Sequence, residues 1–362
     1  MKIYLVGGAV RDQLLGLPVK ERDWVVVGAT PQEMRNLGFK KVGRDFPVFL
    51  HPKTHEEYAL ARSERKTGKG YTDFICNADP SVTLEDDLKR RDLTINAIAE
   101  DTDGRIIDPY NGCSDLKQHI LRHVSPAFAE DPVRILRVAR FAARFSDFKV
   151  HPETNKLMQE MLAQGEVDAL VSERVWQELS RALGEESPER FFTVLENCQV
   201  LQKLFPEIAL HFTAIKKTLI CVVKLSSDVV VRFAAITFNL DKEEIKDFCK
   251  RYKLPSAYKE LSLLVNKLKG SLAELSKTGD GLVTMLEQTD AYRRPERFQQ
   301  FLLVCKAASA ELAKIAKILQ LAYQTTKNTR LTPEIIAQAD KKDLHQILHD
   351  KRKNNLQIGE IG

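Results

Sequence analysis

Residues 3–27 read IYLVGGAVRDQLLGLPVKERDWVVV, and this stretch decides how the N-terminal part of the chain folds. An apolar run ends on Gly7 and Gly8, and a second apolar run follows Glu21 and Asp23. This order predicts a strand, a tight turn, a short helix and another strand. Glycines let a phosphate approach the backbone, a helix N-terminus attracts anions, and Arg11 adds a charged donor. The alternative is a plain strand-to-helix turn without a ligand.

The predicted secondary structure changes character once along the chain. Strands are also predicted over residues 48–50, 57–61 and 105–107, with helices over 10–15 and 32–37, which is typical of an α/β or α+β domain. From about residue 115 helical periodicity dominates, and helices are predicted over 132–145, 153–163, 173–183, 188–195, 257–269 and 297–323. We expect residues 66–81 to form a mobile loop and residues 351–362 to form a frayed tail.

Length and composition describe an ordinary globular protein. The chain has 362 residues, of which 43% are hydrophobic and 29% charged, and this length predicts two or more domains. The apolar runs are too short to span a bilayer and the N-terminus lacks a signal-peptide pattern, so we expect a cytoplasmic protein without membrane contact. The formal charge of +5 does not by itself identify a nucleic-acid binder, and the clustering of arginines over residues 90–144 is more informative.

The cysteines and histidines form no recognisable metal motif. Six cysteines are scattered without a C-x-x-C pair, so we expect reduced thiols. His345 and His349 lie four residues apart, but no third ligand is near them in the sequence. A solvated or packed pair is therefore favoured over a metal site.

Two carboxylates precede the second apolar run. Glu21 and Asp23 are two residues apart, and such residues point to the same side of a strand. The pair suits Mg²⁺, which prefers oxygen ligands and keeps substrate phosphates in its coordination shell. The alternative is a charged turn. Glu57, which begins another predicted strand, is the candidate for a third carboxylate, with Glu56 as its competitor and an exposed strand-end charge as the alternative.

A basic motif reads RRDLTINA over residues 90–97. Arg91 is a candidate phosphate contact, and Asn96 is a candidate contact to a ribose. A basic surface turn before a helix is the alternative interpretation.

A basic stripe follows the predicted start of a long helix. Asp131 and Pro132 form an expected helix start, with a capping carboxylate followed by proline in the first turn. Arginines then recur every three or four residues, which places them on one helix face. The stripe faces either solvent or an anionic substrate. Its members are Arg134, Arg137, Arg140 and Arg144.

The order and spacing of these motifs resemble the bacterial class II tRNA nucleotidyltransferases of the polymerase-beta superfamily, of the gamma-proteobacterial CCA-adding type. The resemblance covers about residues 1–210 and includes residues 7–12, 21–23, 90–97, 108–112 and 130–140. It implies an α+β fold, with a nucleotidyltransferase head over 1–112, a helical neck over 113–210, and a helical body and tail over 211–362. It also implies template-independent addition of the 3′-terminal CCA to tRNA from CTP and ATP with Mg²⁺, and we expect a monomer.

The same resemblance implies roles for individual residues. Glu21 and Asp23 would carry Mg²⁺, and Asp131 and Arg134 would pair with the edge of the incoming base. A carboxylate accepts from the exocyclic amine of C or A, and an arginine donates to ring acceptors. Further nucleotide contacts would come from Gly8, Arg11, Arg91, Arg137 and Arg140.

Two departures from the family pattern bear on activity. Glu21 stands where the family usually has Asp, and its extra methylene shifts the carboxylate, although we expect activity to survive. The paired His-Asp ligands of a metal-dependent HD phosphohydrolase domain are missing around residues 229–241. We therefore expect neither phosphatase nor phosphodiesterase activity.

Three other functions are alternatives. Poly(A) polymerases share the catalytic core but usually carry a basic N-terminal extension, whereas this chain enters its first strand at Ile3. CC-adding enzymes lack part of the flexible loop, and the segment over residues 66–87 is full-length here. A catalytically impaired tRNA-binding protein is favoured only by Glu21.

Overall fold

The computed structural model describes residues 1–42, 48–66 and 74–358. The chain divides into two compact units, Met1–Leu204 and Phe205–Gly362. The predicted head and neck therefore share one unit, and the division falls close to the predicted start of the body. The α+β class is confirmed, because strands occur in the first unit and the described part of the second is helical. Among the described residues, no helix is long and apolar enough to cross a membrane.

A seven-stranded mixed sheet forms the framework of the N-terminal unit. Its strand order is β3-β4-β5-β2-β1-β8-β9. The pair β2–β5 is parallel, and the other neighbouring pairs are antiparallel. The first nine strands are β1 (Lys2–Val6), β2 (Asp23–Val27), β3 (Lys40–Lys41), β4 (Val48–Leu50), β5 (Glu57–Leu60), β6 (Ser63–Lys66), β7 (Phe74–Asn77), β8 (Ala99–Asp101) and β9 (Ile106–Ile107).

Helices cover both faces of this sheet, because apolar side chains alternate along its central strands. On one face Val25 packs with Leu84 and Leu88, and on the other Val26 packs with Met34. Capping boxes at the starts of the second and third helices satisfy N–H groups that would otherwise lack partners. The first four helices are α1 (Gly8–Leu14), α2 (Pro31–Asn36), α3 (Leu84–Lys89) and α4 (Gly112–Lys117).

The prediction of a mobile loop over residues 66–81 is partly wrong. Strands β6 and β7 pair as an antiparallel hairpin in which Ser63 lies opposite Asn77. The apolar run over residues 74–76 favours a strand, and the turn residues around it obscured that signal. Residues 67–73 lie outside the described part of the chain. After the hairpin, the side chain of Asp79 accepts from the backbone N–H of Ser81 at 2.9 Å, which makes a tight turn before α3.

The rest of the N-terminal unit is mainly helical. Strand pairing does not end at residue 115, because β10 (Ile120–Leu121) and β11 (Lys149–Val150) form a short parallel pair. The helix α5 packs against α7 and α8, with Ile135, Leu136 and Val138 fully buried. These helices are α5 (Val133–Arg144), α6 (Pro152–Ala163), α7 (Ser172–Gly184), α8 (Glu189–Asn197) and α9 (Leu201–Leu204).

The described part of the C-terminal unit is helical, and α12 lies at its centre, against α11, α14 and α17. Phe233 of α12 packs on Phe248 and Tyr258 in an aromatic cluster. The helices are α10 (Pro206–Leu210), α11 (Phe212–Val223), α12 (Val229–Ile236), α13 (Lys242–Arg251), α14 (Ser256–Leu268), α15 (Leu272–Leu275), α16 (Gly279–Gln288), α17 (Pro295–Ala308), α18 (Ala310–Thr326), α19 (Pro333–Gln338) and α20 (Leu344–Ile358).

Two predictions about this unit are wrong. The single helix predicted over residues 297–323 is broken at Ser309, which is extended and whose hydroxyl accepts from the backbone N–H of Leu312 to start α18. The predicted frayed tail is helical as far as Ile358. Arg352 of α20 is buried, 3.6 Å from the ring centre of Tyr292, and donates to Glu287 at 3.0 Å. Residues 359–362 lie outside the described part of the chain.

Candidate active site

A cavity of about 650 Å³ opens in the N-terminal unit, between α1, the start of β2, α5 and α7. Nine arginines and four carboxylates line it, so its net charge is positive and it suits an anionic ligand. The lining residues are Gly7, Gly8, Arg11, Glu21, Asp23, Arg90, Arg91, Asp92, Asn96, Asp131, Arg134, Arg137, Arg140, Phe141, Arg144, Arg174 and Arg181. All the predicted site residues except Glu57 are in this set.

The glycine turn lies at the cavity wall as predicted. Gly7 has φ +70°, and a Cβ at this position would lie 2.7 Å from Nη1 of Arg91. Gly8 begins α1 and lies next to the guanidinium of Arg11. The turn therefore needs glycine both for its backbone conformation and for the close approach of an arginine.

The predicted carboxylate pair lies at the start of β2. Glu21 and Asp23 both line the cavity. Partial removal from water raises the pKa of Asp23, Arg91 opposes that shift, and the neighbouring Glu21 adds to it. Two adjacent carboxylates are a suitable donor set for a hard divalent ion. Among the described residues, no group of three or more His, Cys, Asp or Glu is arranged to hold a metal ion.

The structure distinguishes between the two candidates for a third carboxylate. Glu57 is the register partner of Asp23 in the parallel pair β2–β5, so both residues project from the same face of the sheet. The carboxylate of Glu56 instead accepts from Nε1 of Trp24 at 3.1 Å, on the opposite face. The geometry therefore favours Glu57, although it lies outside the cavity lining.

Buried Asp87, which the sequence did not single out, holds the two arginines of the basic motif. It is fully buried and accepts from Arg90 at 2.7 and 3.0 Å and from Arg91 at 3.1 Å. Burial by itself would raise the pKa of Asp87, but Arg90 and Arg91 outweigh it and the pKa is lowered. The carboxylate is therefore ionised and keeps both guanidinium groups at the cavity edge.

A second buried carboxylate, Asp92, connects the basic motif to α5. It accepts from the backbone N–H of Leu93 at 2.8 Å, from the Asn96 amide at 2.9 Å and from Nε of Arg137 at 2.7 Å. These partners outweigh burial and hold the pKa of Asp92 far below its usual range. Asn96, the candidate ribose contact, lines the cavity, but its amide is occupied by Asp92 and by Arg11.

Asp12, a buried carboxylate like Asp87 and Asp92, lies behind the cavity wall. Its Oδ1 accepts from Nε and Nη2 of Arg11 at 2.9 and 2.7 Å, and its Oδ2 accepts from Arg144 at 2.8 Å. The guanidinium of Arg11 is buried and lies 5.1 Å from the ring centre of Phe141 and 5.3 Å from that of Phe145. Arg11 is thus held on all sides at the place where α1 meets α5.

The start of α5 carries the two residues expected to contact a base. The helix begins at Val133, one residue after the predicted proline position, and Asp131 caps it by accepting from the Val133 N–H at 3.0 Å. Arg134 is buried and donates to the carbonyl groups of Ala127 and Arg90 at 2.8 and 2.6 Å. All four arginines of the basic stripe line the cavity, so the stripe faces the cavity rather than open solvent.

The helix α7 contributes residues that the sequence analysis missed. Arg174 donates to both oxygens of Asp131, and the carboxylate of Glu178 accepts from Arg140 at 2.6 Å. Arg181 also lines the cavity. Their spacing of four and three residues along one amphipathic helix was the available signal, because it places three charges on one face.

Comparison with known proteins shows the family of this chain. The family model described as "Poly A polymerase head domain" matches residues 3–122, and the one described as "Probable RNA and SrmB- binding site of polymerase A" matches residues 147–211. The matched head, the mixed sheet and the arginine-lined cavity place the chain among the nucleotidyltransferases, which are generally metal-dependent.

Individual relatives identify the family within the nucleotidyltransferases. A CCA-adding enzyme of Coxiella burnetii is 53% identical over 334 residues, which are 92% of this chain and 89% of that protein. A solved complex of a CCA-adding enzyme with ATP has a TM-score of 0.73 at 25% identity, covering 98% of this chain and 86% of that one. A solved tRNA-processing enzyme with CTP has a TM-score of 0.70 at 26% identity, covering 98% and 96%. The chain belongs to the CCA-adding enzyme family, and the resemblance drawn from its motifs is confirmed.

Proposed function

We infer that this protein adds the 3′-terminal CCA to tRNA from CTP and ATP without a nucleic-acid template and releases pyrophosphate. The observation that carries this function is the cavity, where the Glu21–Asp23 carboxylates lie opposite the arginines of α5. Family membership supports the same reaction, since relatives carry the name CCA-adding enzyme and solved structures of this kind hold ATP or CTP.

We propose that Glu21 and Asp23 hold Mg²⁺. Their oxygen donors fit a hard cation, and the two protein ligands leave coordination positions for phosphate oxygens. Bound there, two Mg²⁺ ions supply Lewis acidity for the attacking 3′-hydroxyl and for the leaving pyrophosphate. Glu57 adds a third carboxylate from the neighbouring strand. The extra methylene of Glu21 is tolerated because the side chain is exposed and free to adjust.

The arginines bind the triphosphate, and the start of α5 selects the base. Arg91, Arg137 and Arg140 present guanidinium groups at the cavity surface, where they neutralise phosphate charge. Asp131 accepts from the exocyclic amine that C and A share, and Arg134 donates to a ring acceptor. Further contacts to the nucleotide come from three residues of the head, Gly8, Arg11 and Asn96. Side chains thereby take the place of a template strand.

We assign tRNA binding mainly to the body and tail. Residues 205–362 contain 26 basic and 18 acidic residues, a formal charge of +8, whereas residues 1–204 contain 29 and 32, a charge of −3. The excess positive charge thus belongs to the C-terminal unit and suits a polyanionic partner. We propose a head over 1–112, a neck over 113–210 and a body and tail over 211–362, in a monomeric cytoplasmic protein without phosphohydrolase activity.

The test is nucleotide addition to a defined tRNA that lacks its CCA end. Purified full-length protein receives Mg²⁺ with CTP, ATP or both, and the product 3′ ends are sequenced. We expect addition that stops at CCA and that is abolished by EDTA or by Asp23→Asn. Long A tails would instead identify a poly(A) polymerase, termination at CC a partial enzyme, and tRNA binding without incorporation an impaired protein. In the last case Glu21→Asp is the variant that would restore activity.

A further inference from the structure

Six side chains form a ring at the cavity wall, and five of them line the cavity. Two of them lie on α5 seven residues apart, so they occupy the same helix face two turns apart. The other four come from α1 and from the segment over residues 92–96, and all four are buried. In order around the ring they are Arg144, Asp12, Arg11, Asn96, Asp92 and Arg137.

Five hydrogen-bonded links join the six side chains, and α5 itself closes the ring because it carries both Arg137 and Arg144. Arg144 donates to Asp12 at 2.8 Å. Arg11 donates to Asp12 at 2.7 and 2.9 Å and to Asn96 at 2.5 Å. Asn96 donates to Asp92 at 2.9 Å, which accepts from Arg137 at 2.7 Å. Most of these links join a charged donor to a charged acceptor, and such bonds strengthen one another where water is excluded.

Asp12 differs from the other ring members in that it does not line the cavity. It is buried, and within the described residues its side chain accepts hydrogen bonds from Arg11 and Arg144. It therefore joins α1, which carries the glycine turn, directly to the C-terminal end of α5. The opposite end of α5 carries the proposed base-selecting pair.

We propose that Asp12 is a positioning residue for nucleotide addition, which holds the base-selecting helix α5 at a fixed distance from the glycine turn and the Glu21–Asp23 pair. The proposal rests on the proposed function, in which α5 contacts the base of the nucleotide and the glycine turn and the Glu21–Asp23 pair lie at its triphosphate. A misplacement of about 1 Å is enough to lower a reaction rate roughly a hundredfold. Loss of the link should therefore reduce both rate and base selectivity, although Asp12 touches no substrate.

The experiment compares the full-length protein with Asp12→Asn, Arg144→Met and the double variant. Asparagine keeps the shape of the side chain but presents an N–H donor where Arg144 requires an acceptor. Asp168→Asn is the matched control, since Asp168 forms an exposed 2.6 Å ion pair with Lys203 in the same unit. For each protein we would measure kcat and KM for first-position addition of CTP and of UTP, equilibrium binding of both nucleotides, and the midpoint of thermal unfolding.

We expect Asp12→Asn to lower kcat for CTP about tenfold or more and to reduce the preference for CTP over UTP by a similar factor. Arg144→Met should do the same, and the double variant should be no worse than either single variant because one link is broken in each. The Asp168→Asn control should match the unsubstituted protein.

Two results would overturn the proposal: independent, multiplying effects of the two substitutions, or a lower unfolding midpoint with unchanged kcat and selectivity. If Asp12→Asn does not fold, Arg144→Met alone and Asp12→Glu decide the question by the same readouts. The binding ratio separates this proposal from the proposed function. Nucleotide binding without any addition by the unsubstituted protein would overturn CCA addition, while the effect of the variants on the CTP-to-UTP binding ratio would still test the ring.

Discussion

Arg174 of α7 donates to both carboxylate oxygens of Asp131, at 3.2 and 2.9 Å. Oδ1 of Asp131 also accepts from the Val133 N–H, so the described residues occupy three of the roughly four acceptor positions of this carboxylate. The plane of the carboxylate is thereby set before a nucleotide arrives. We propose that the remaining acceptor position takes the exocyclic amine of C or A, and that a base offering an acceptor there is disfavoured.

Replacing Arg174 should therefore weaken base selection. We expect Arg174→Met to reduce the preference for CTP over UTP about tenfold, since the carboxylate can then rotate. Arg174→Lys keeps the charge but cannot donate to both carboxylate oxygens at once. Its preference for CTP over UTP should therefore fall between those of the unsubstituted protein and Arg174→Met. The measurement is the ratio of kcat/KM values on tRNA lacking CCA. An unchanged ratio in Arg174→Met would contradict this role.

Gly7 and Gly104 provide a matched pair for testing the glycine turn. Both have positive φ, but a Cβ at Gly104 would meet nothing within 4 Å, whereas one at Gly7 would lie 2.7 Å from Nη1 of Arg91. Alanine at either position should cost roughly 1–3 kcal/mol of unfolding free energy through backbone strain. Gly7→Ala should in addition lower kcat/KM for CTP about tenfold or more by displacing Arg91.

Urea denaturation and single-turnover kinetics on both variants check this prediction. If Gly104→Ala lost as much activity as Gly7→Ala, the loss would come from stability, and the contact with Arg91 would be irrelevant to the reaction.

Glu57 and Glu56 form a second matched pair. We expect Glu57→Gln to lower kcat about tenfold or more and to raise the Mg²⁺ concentration required for half-maximal rate, because Glu57 lies beside Asp23 in the β2–β5 register. Glu56→Gln should leave the Mg²⁺ dependence unchanged, since that carboxylate is bound to Trp24 on the other face. A Mg²⁺ titration of the addition rate distinguishes them. A stronger requirement in Glu56→Gln would reverse the assignment.

The C-terminal helix should make stability depend on pH. His349 is buried, with Nδ1 2.9 Å from Glu287 and Nε2 3.4 Å from Asp280. Burial alone would lower the pKa of His349, but the two carboxylates outweigh it and the pKa is raised. A folded-state pKa above the unfolded value of about 6.5 means that the stabilisation is complete below that pH and is lost as pH rises through the folded-state pKa.

The corresponding variant is His349→Gln. It should cost roughly 1 kcal/mol at pH 5.5, and the difference from the unsubstituted protein should shrink towards pH 8.5. Hydrogen exchange of the α20 amides across this range measures the effect. His345→Gln is the control, because the His345 ring is largely exposed and 3.8 Å from Glu287. An equal, pH-independent loss in both variants would rule out the proposed linkage.

Several parts of the fold could be predicted because their signals are local. The strand, glycine turn and helix at the N-terminus, the alternation along β2 and the arginine stripe of α5 depend on residues within a few positions of each other. Where a local signal was weak, prediction was wrong. The hydroxyl of Ser309 starts a new helix within an otherwise continuous helical pattern. The C-terminal segment is helical because its Arg352 bonds to Glu287 of α16, a contact that the local sequence does not indicate.

The sequence by itself determined the family and proposed most of the site residues, because motif order and residue type carry that information. Only the tertiary structure decided which groups act together. It placed Glu57 rather than Glu56 beside Asp23, added Arg174 to Asp131, and closed the ring through Asp12. Arg11 and Asn96 are 85 positions apart and Asp12 and Arg144 are 132 apart. Hydrogen bonds over such separations depend on how strands and helices pack, which no local pattern encodes.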